Sequence, residues 1–234
     1  AEASIVSTTT LVTPSNPQGW ILYNDQTDTA NGTTQFKSGP ITLPPLGTGS
    51  ARFKLTGPND GQAIVLPSYQ GTKLSLMREL KYWTYQDFSN KSNVPAISLQ
   101  FNIDQDVDDA DNSYQGRMVY EPYYNNGGTV PIGQWKQWDT IKAGAGLWWF
   151  SKPASFGGNC PQSAPCTWSQ ILALYPGIGV HPTYGAVVLK AGSGWEEKWQ
   201  GSADALNIRI RDVGVVYNFE ANPILKEPIR EVKR

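Results

Sequence analysis

The chain has 234 residues, of which 19 are Lys or Arg and 20 are Asp or Glu, for a formal net charge of -1; aromatic residues make up 12%. A balance this even offers no basic field to gather phosphates, which excludes general nucleic-acid binding. No apolar run approaches the roughly 20 residues of a spanning helix, so membrane insertion is excluded too.

The length suits one large domain with its own core, and 23 Gly with 17 Pro punctuate it too often for long helices. Ala1-Glu2-Ala3 opens the chain without a methionine, as a mature protein freed of its signal peptide would, or a trimmed chain. Residues 4–13 are almost all β-branched or small and read as a strand, with Ile5 and Leu11 on one side and Val6 and Val12 on the other. A strand with no polar face needs cover on both sides. After a turn-rich hinge at Pro14 to Gln18, Trp20-Ile21-Leu22-Tyr23 starts the body, and the breakers Gly39-Pro40 and Pro44-Pro45 lead into the strand Ser50 to Leu55. Three strands follow, at Leu80 to Tyr85, Ala96 to Ile103 and Gly116 to Tyr120. In the middle one Ile97, Leu99, Phe101 and Ile103 alternate with Ser98, Gln100 and Asn102, which gives a core face and a wetter one. Polar, turn-forming connections make these three expected antiparallel neighbours in mid-sheet. The strand pattern continues through Thr129 to Trp138 and Gly146 to Phe150. The one helix signal is Thr167 to Tyr175, opened by a Thr-x-x-Gln capping box and stopped by Pro176-Gly177. Strands at Ala186 to Lys190, Ala205 to Arg211 and Val213 to Phe219 complete the body.

This pattern predicts an all-β fold, an antiparallel β-sandwich of jelly-roll type with one short helix. The body spans 18–220, between an extended N-terminal arm, 1–17, and a C-terminal arm, 221–234, whose Pro223 and Pro228 keep it out of a central strand.

Several stretches taken in order carry a family likeness: Gly19-Trp20, Tyr82-Trp83-Thr84-Tyr85, Phe101-Asn102-Ile103-Asp104, Gly116-Arg117 with Val119-Tyr120-Glu121-Pro122, Trp148-Trp149, Ala191-Gly192-Ser193-Gly194-Trp195 and Tyr217 with Phe219-Glu220. On these the chain resembles a family of largely uncharacterised secreted β-sandwich domains of prokaryotic surface and extracellular proteins. The resemblance covers roughly 17–220. It implies a sandwich fold and extracellular life, and carries over no catalytic residue.

Cys160 and Cys166 lie in a loop without strand or helix pattern; a disulfide is the simple reading, free thiols the alternative, and a disulfide implies an oxidising compartment. Asn31 and Asn90 each head an N-glycosylation triplet. The acidic loop that begins at Asp104, Asp106 and Asp108 is a candidate calcium site, because hard cations take several carboxylate oxygens from one turn. It is not an EF-hand, since Asp109 and Gln115 stand where Gly and Glu are needed. Ser193 lacks the upstream Gly of a nucleophile elbow, and the single His181 has no partner at recognisable spacing, which argues against a triad. Glycoside hydrolysis needs only two carboxyl groups and stays open, but no strand alternates Glu and Asp and adjacent Glu196-Glu197 would face opposite ways, so no enzyme is expected.

Two functions compete. In the first the protein is a secreted, non-enzymatic structural subunit of a cell-surface filament or layer. Its arms, through Ile5, Val6, Leu11 and Val12 and through Ile224, Leu225 and Ile229, would pair with neighbouring copies to give a homo-oligomer or polymer. In the second it is a carbohydrate-binding module for a glycan partner. Adjacent Trp148 and Trp149 must face opposite ways on a strand, as must Trp135 and Trp138 and the neighbours Tyr123 and Tyr124, so outward rings would be left as a platform, with calcium structural.

Overall fold

The computed structural model describes residues 4–25, 32–195 and 198–222. In chain order the strands are β1 (Val6–Val12), β2 (Ile21–Asn24), β3 (Thr33–Ser38), β4 (Gly49–Leu55), β5 (Gly61–Leu66), β6 (Met77–Gln86), β7 (Ser98–Asp104), β8 (Arg117–Tyr120), β9 (Trp135–Asp139), β10 (Leu147–Phe150), β11 (Cys166–Thr167), β12 (Gly179–Val180), β13 (Val187–Gly192), β14 (Trp199–Ile210) and β15 (Val213–Phe219). The α-helix, α1 (Trp168–Leu174), carries the expected capping box: Gln170 N–H donates to Thr167 Oγ1 at 3.1 Å, and Thr167 N–H to Gln170 Oε1 at 2.8 Å.

The strands form two layers, as the sequence predicts. Seven make one sheet, with β14 at its centre between β6 and β9 on one edge and β4, β3, β15 and β1 on the other. Eight make the second, in the order β11-β10-β8-β7-β13-β5-β2 with β12 against the end of β7. Between the layers lies a core of large rings: Trp148 stacks on Phe101 at 5.9 Å and Phe150 on Phe156 at 3.8 Å, while Tyr82 meets Tyr120 edge to face at 6.3 Å.

The sequence places β6 beside β7; the structure puts them in opposite layers. β6 pairs with β14 and β9, whereas β7 pairs with β8 and β13. The connection through Asn90 and Pro95 is long enough to cross the ~10 Å between packed sheets, and Tyr82, from one layer, donates its hydroxyl to the Ile97 carbonyl of the other at 2.8 Å. The second face of β7 is also less wet than its pattern suggests. Ser98 and Gln100 are buried, because they lie under a polar network described below.

The filament reading is corrected here. β1 pairs in parallel with β15 of the same chain, in register from Val6 opposite Val213 to Val12 opposite Phe219. Val6 N–H donates to the Asp212 carbonyl and Glu220 N–H to the Val12 carbonyl, both at 2.8 Å. The segment does need a host strand, as its lack of a polar face demands, but that host is its own last strand. Val12 is fully buried in the molecule's own core, whereas Ile5 and Val6 stay exposed and Leu11 is half-buried. Ile224, Leu225 and Ile229 lie outside the described residues.

Candidate functional site

The outer face of the eight-stranded sheet follows from register. Met118 and Tyr120 of β8 point into the core, so Arg117 and Val119 point out, and Trp149 lies opposite Val119. Glu121 continues that outward parity in extended backbone before Pro122 opens a 3-10 turn, Pro122–Asn125. Its carboxylate Oε2 accepts the indole N–H of Trp149 at 3.1 Å and the Gln162 amide at 3.5 Å. Burial pushes the Glu121 carboxyl above its ordinary range; hydrogen bonds from Gln162, Trp149 and Tyr123 and the charge of Lys190 oppose this without cancelling it.

Glu121 opens into a cleft of about 620 Å³, walled by the Asn90–Ala96 loop, by Tyr123 and Gln162, by Ser193 and Trp195 just after β13, and by Lys198 and Trp199 at the start of β14. Each wall is anchored. Asn90 clasps the Gln200 backbone with both ends of its amide, at 2.7 and 2.8 Å. Gly194 N–H donates to the Pro58 carbonyl at 2.8 Å, and Trp195 packs edge-on against buried Trp199 at 4.8 Å. Tyr123 packs tilted against Tyr124 at 4.3 Å, and Tyr124 donates its hydroxyl to the Gln162 carbonyl at 2.6 Å. The two tyrosines therefore lie together on a turn instead of facing opposite ways on a strand.

Beside the cleft the sheet's polar groups satisfy one another. Arg117 reaches Asn102 and Gln100, both at 3.2 Å, and Asp25 at 3.3 Å, while Lys190 pairs with the other Asp25 oxygen at 2.5 Å. This network covers Ser98 and Gln100 and leaves the cleft as the open part of the face.

The four tryptophans expected to form a platform are dispersed. Trp148 is fully buried, and Trp138 is buried with its N–H on Thr84 Oγ1 at 2.8 Å. Trp149 turns its indole edge to Glu121, and half-buried Trp135 donates to the Thr42 carbonyl at 3.0 Å. The alternation argument separates inward from outward rings correctly in both pairs, but the two outward rings stand on different sheets. Sequence reasoning pointed to Tyr123 but missed Glu121, Gln162 and Trp195, which loops from separate parts of the chain bring together. The available signal was Glu121 itself, an acid on the outward parity of a strand that ends in Pro122.

Cys160 and Cys166 form the expected disulfide, with Cα atoms 5.2 Å apart. Asn31 lies outside the described residues. Asn90 is 7% exposed, and its amide nitrogen is taken by the Gln200 carbonyl, so its triplet is closed to modification in the folded protein. In the acidic loop, Asp104 Oδ1 accepts the Asp106 N–H at 2.9 Å, Asp106 accepts the Asp108 N–H at 3.1 Å, and Asp108 pairs with Lys73. The other Asp104 oxygen stands 3.6 Å from Nε2 of fully buried His181. His181 Nδ1 accepts two backbone N–H groups at 3.0 Å, so the ring's proton sits on Nε2, which donates to the Ser113 carbonyl at 2.9 Å. Among the described residues no three Asp, Glu, His or Cys side chains are grouped to hold a metal ion.

No family model and no curated protein matches the chain. Solved structures resemble it at low identity. The family 11 carbohydrate-binding module of the cellulosomal cellulase Lic26A-Cel5E of Clostridium thermocellum is 12% identical, with a TM-score of 0.43 over 82% of this chain and 88% of that one. TmCBM61, solved with β-1,4-galactotriose, is 10% identical, with a TM-score of 0.35 over 82% and 88%. A β-1,2-glucanase from Parabacteroides distasonis is 10% identical, with a TM-score of 0.40 over 81% of this chain and 23% of the enzyme.

Proposed function

We propose that the chain is a secreted, non-enzymatic glycan-binding module whose site is the cleft between Glu121 and Trp195. The observation that carries this reading is the convergence of two ring systems, Tyr123 and Trp195, with a carboxyl, Glu121, and an amide, Gln162, on one cleft of about 620 Å³. A pyranose presents an apolar C–H face and a rim of hydroxyls, so it is held by flat aromatic surface edged with planar hydrogen-bonding groups. Anchored walls support the same reading, since rings already held in place lose little freedom when a ligand stacks on them. The disulfide supports an oxidising, extracellular setting.

The test is affinity electrophoresis through gels containing mixed-linkage β-glucan, β-1,4-galactan, xylan, β-1,2-glucan or an α-glucan. Native protein is expected to be retarded by at least one, with no reducing sugar released. Tyr123→Ala and Trp195→Ala should each weaken retention about tenfold, the scale of one lost stacking contact. Free migration through every gel, or retention unchanged in both variants, would defeat the reading.

A further inference from the structure

A second depression, of about 420 Å³, lies on the far side of the turn that carries Tyr123, lined by Asn126, Thr129, Pro131, Gln134, Trp135 and Lys136. Tyr123 and Asn126 are three residues apart along a 3-10 turn, about 6 Å at ~2 Å per residue. The two depressions have no lining residue in common, but hydrogen bonds tie their borders together. Val130 N–H donates to the Asn93 carbonyl at 2.7 Å, and Gln86 donates its amide to the Pro131 carbonyl at 2.8 Å, so the loop that bounds the cleft is bonded to the rim of the second depression.

An aromatic shelf borders that second depression. Trp135 packs against Tyr85 at 5.7 Å, and its orientation is fixed by the bond from its N–H to Thr42. Phe88 is 72% exposed and lies over Gly133, where a β-carbon would come within 2.0 Å of the ring, so the ring sits this close only because that residue is glycine. Ile41 and Leu43, both well exposed, flank Thr42 and extend the apolar surface. Exposed apolar surface of this kind marks a contact site, and amides beside a fixed ring give it the same chemistry as the cleft.

We infer that cleft and shelf are successive subsites of one track, and that the ligand class is an internal stretch of polysaccharide several sugars long, not a single terminal sugar. This rests on the glycan-binding reading of the cleft. Titration calorimetry with oligosaccharides of two to six residues, cut from whichever panel polysaccharide the native protein retains, tests it. Native affinity should rise about tenfold or more from the shortest to the longest. Trp135→Ala and, independently, the surface variant Phe88→Ala should flatten that rise and leave the shortest ligand unaffected, whereas Trp195→Ala should weaken every length. A native affinity that does not grow with length, or a rise that survives both shelf variants, overturns the track and leaves the cleft standing. Retention on no polysaccharide removes the cleft reading and the track with it.

Discussion

Asp204 stands where β14 is shared: β4 pairs with its first half and β15 with its second, and the ladder to β6 shifts register just after this residue. The backbone left over at that fork needs acceptors, and Asp204 provides them, taking Phe219 N–H at 3.0 Å and Leu46 N–H at 3.2 Å. Burial nevertheless outweighs these bonds, and with Glu220 nearby the carboxyl is pushed up to about 7. Because the folded state holds this proton after the unfolded chain has lost it, the group's contribution to stability is intact below pH ~4 and falls as pH rises toward 7. At about 1.4 kcal/mol per unit, that slope amounts to something on the order of 4 kcal/mol. Asp204→Asn is expected to lower stability overall, having lost an acceptor, and to flatten the pH dependence; denaturant melts at pH 4 to 8 check it. An equal slope in both proteins would place the titration elsewhere. None of this was legible in the sequence, where Asp204 is one acid in a strand and its partners come from a loop near residue 46 and from the last strand.

At the scale of elements, the disulfide closes a loop of six residues beside β11, whose Cys166 pairs with Trp148, while Cys160 accepts the Phe150 N–H through its carbonyl at 2.9 Å. Reduction should cost about 2 kcal/mol by the loop-entropy relation. The effect is expected to stay local, because the core strands β7, β8 and β13 are bonded independently of it. Hydrogen exchange with and without reductant should show faster exchange in 151–175 and little change in 98–104. Here the sequence was more informative. Although the other face of β7 is buried as well, the capping box of α1, the strand β7 with its core-facing Leu99, Phe101 and Ile103, and the cysteine pair all rest on neighbours within a few residues and appear where expected. Which sheet received β6 did not, since its partner β14 lies more than a hundred residues downstream and local alternation is the same in either layer.

For the whole molecule, the earlier expectation that the first strand serves another copy can be turned into a measurement. Removing residues 1–13 takes Val12 from the core and strips β15 of its edge partner, so the shortened chain should melt several degrees lower. Full-length and shortened protein are both expected to sediment as monomers, and a polymer dissolved by the deletion would reverse the correction made above. The candidate cleft was not readable at this scale for a general reason: Asn90, Glu121, Gln162 and Trp195 converge only after both sheets have closed. The outward rings could be identified individually by parity, but their association could not.

The pairing of β1 with β15 also has a mechanical meaning. The two strands run the same way, so the chain enters the edge of the sheet at Val6 and leaves it at Phe219, about 20 Å further along for seven residues of strand. Tension applied through the two ends would drag these strands in opposite directions along their shared axis. Their bonds would then be loaded in shear, all at once, and not peeled one after another.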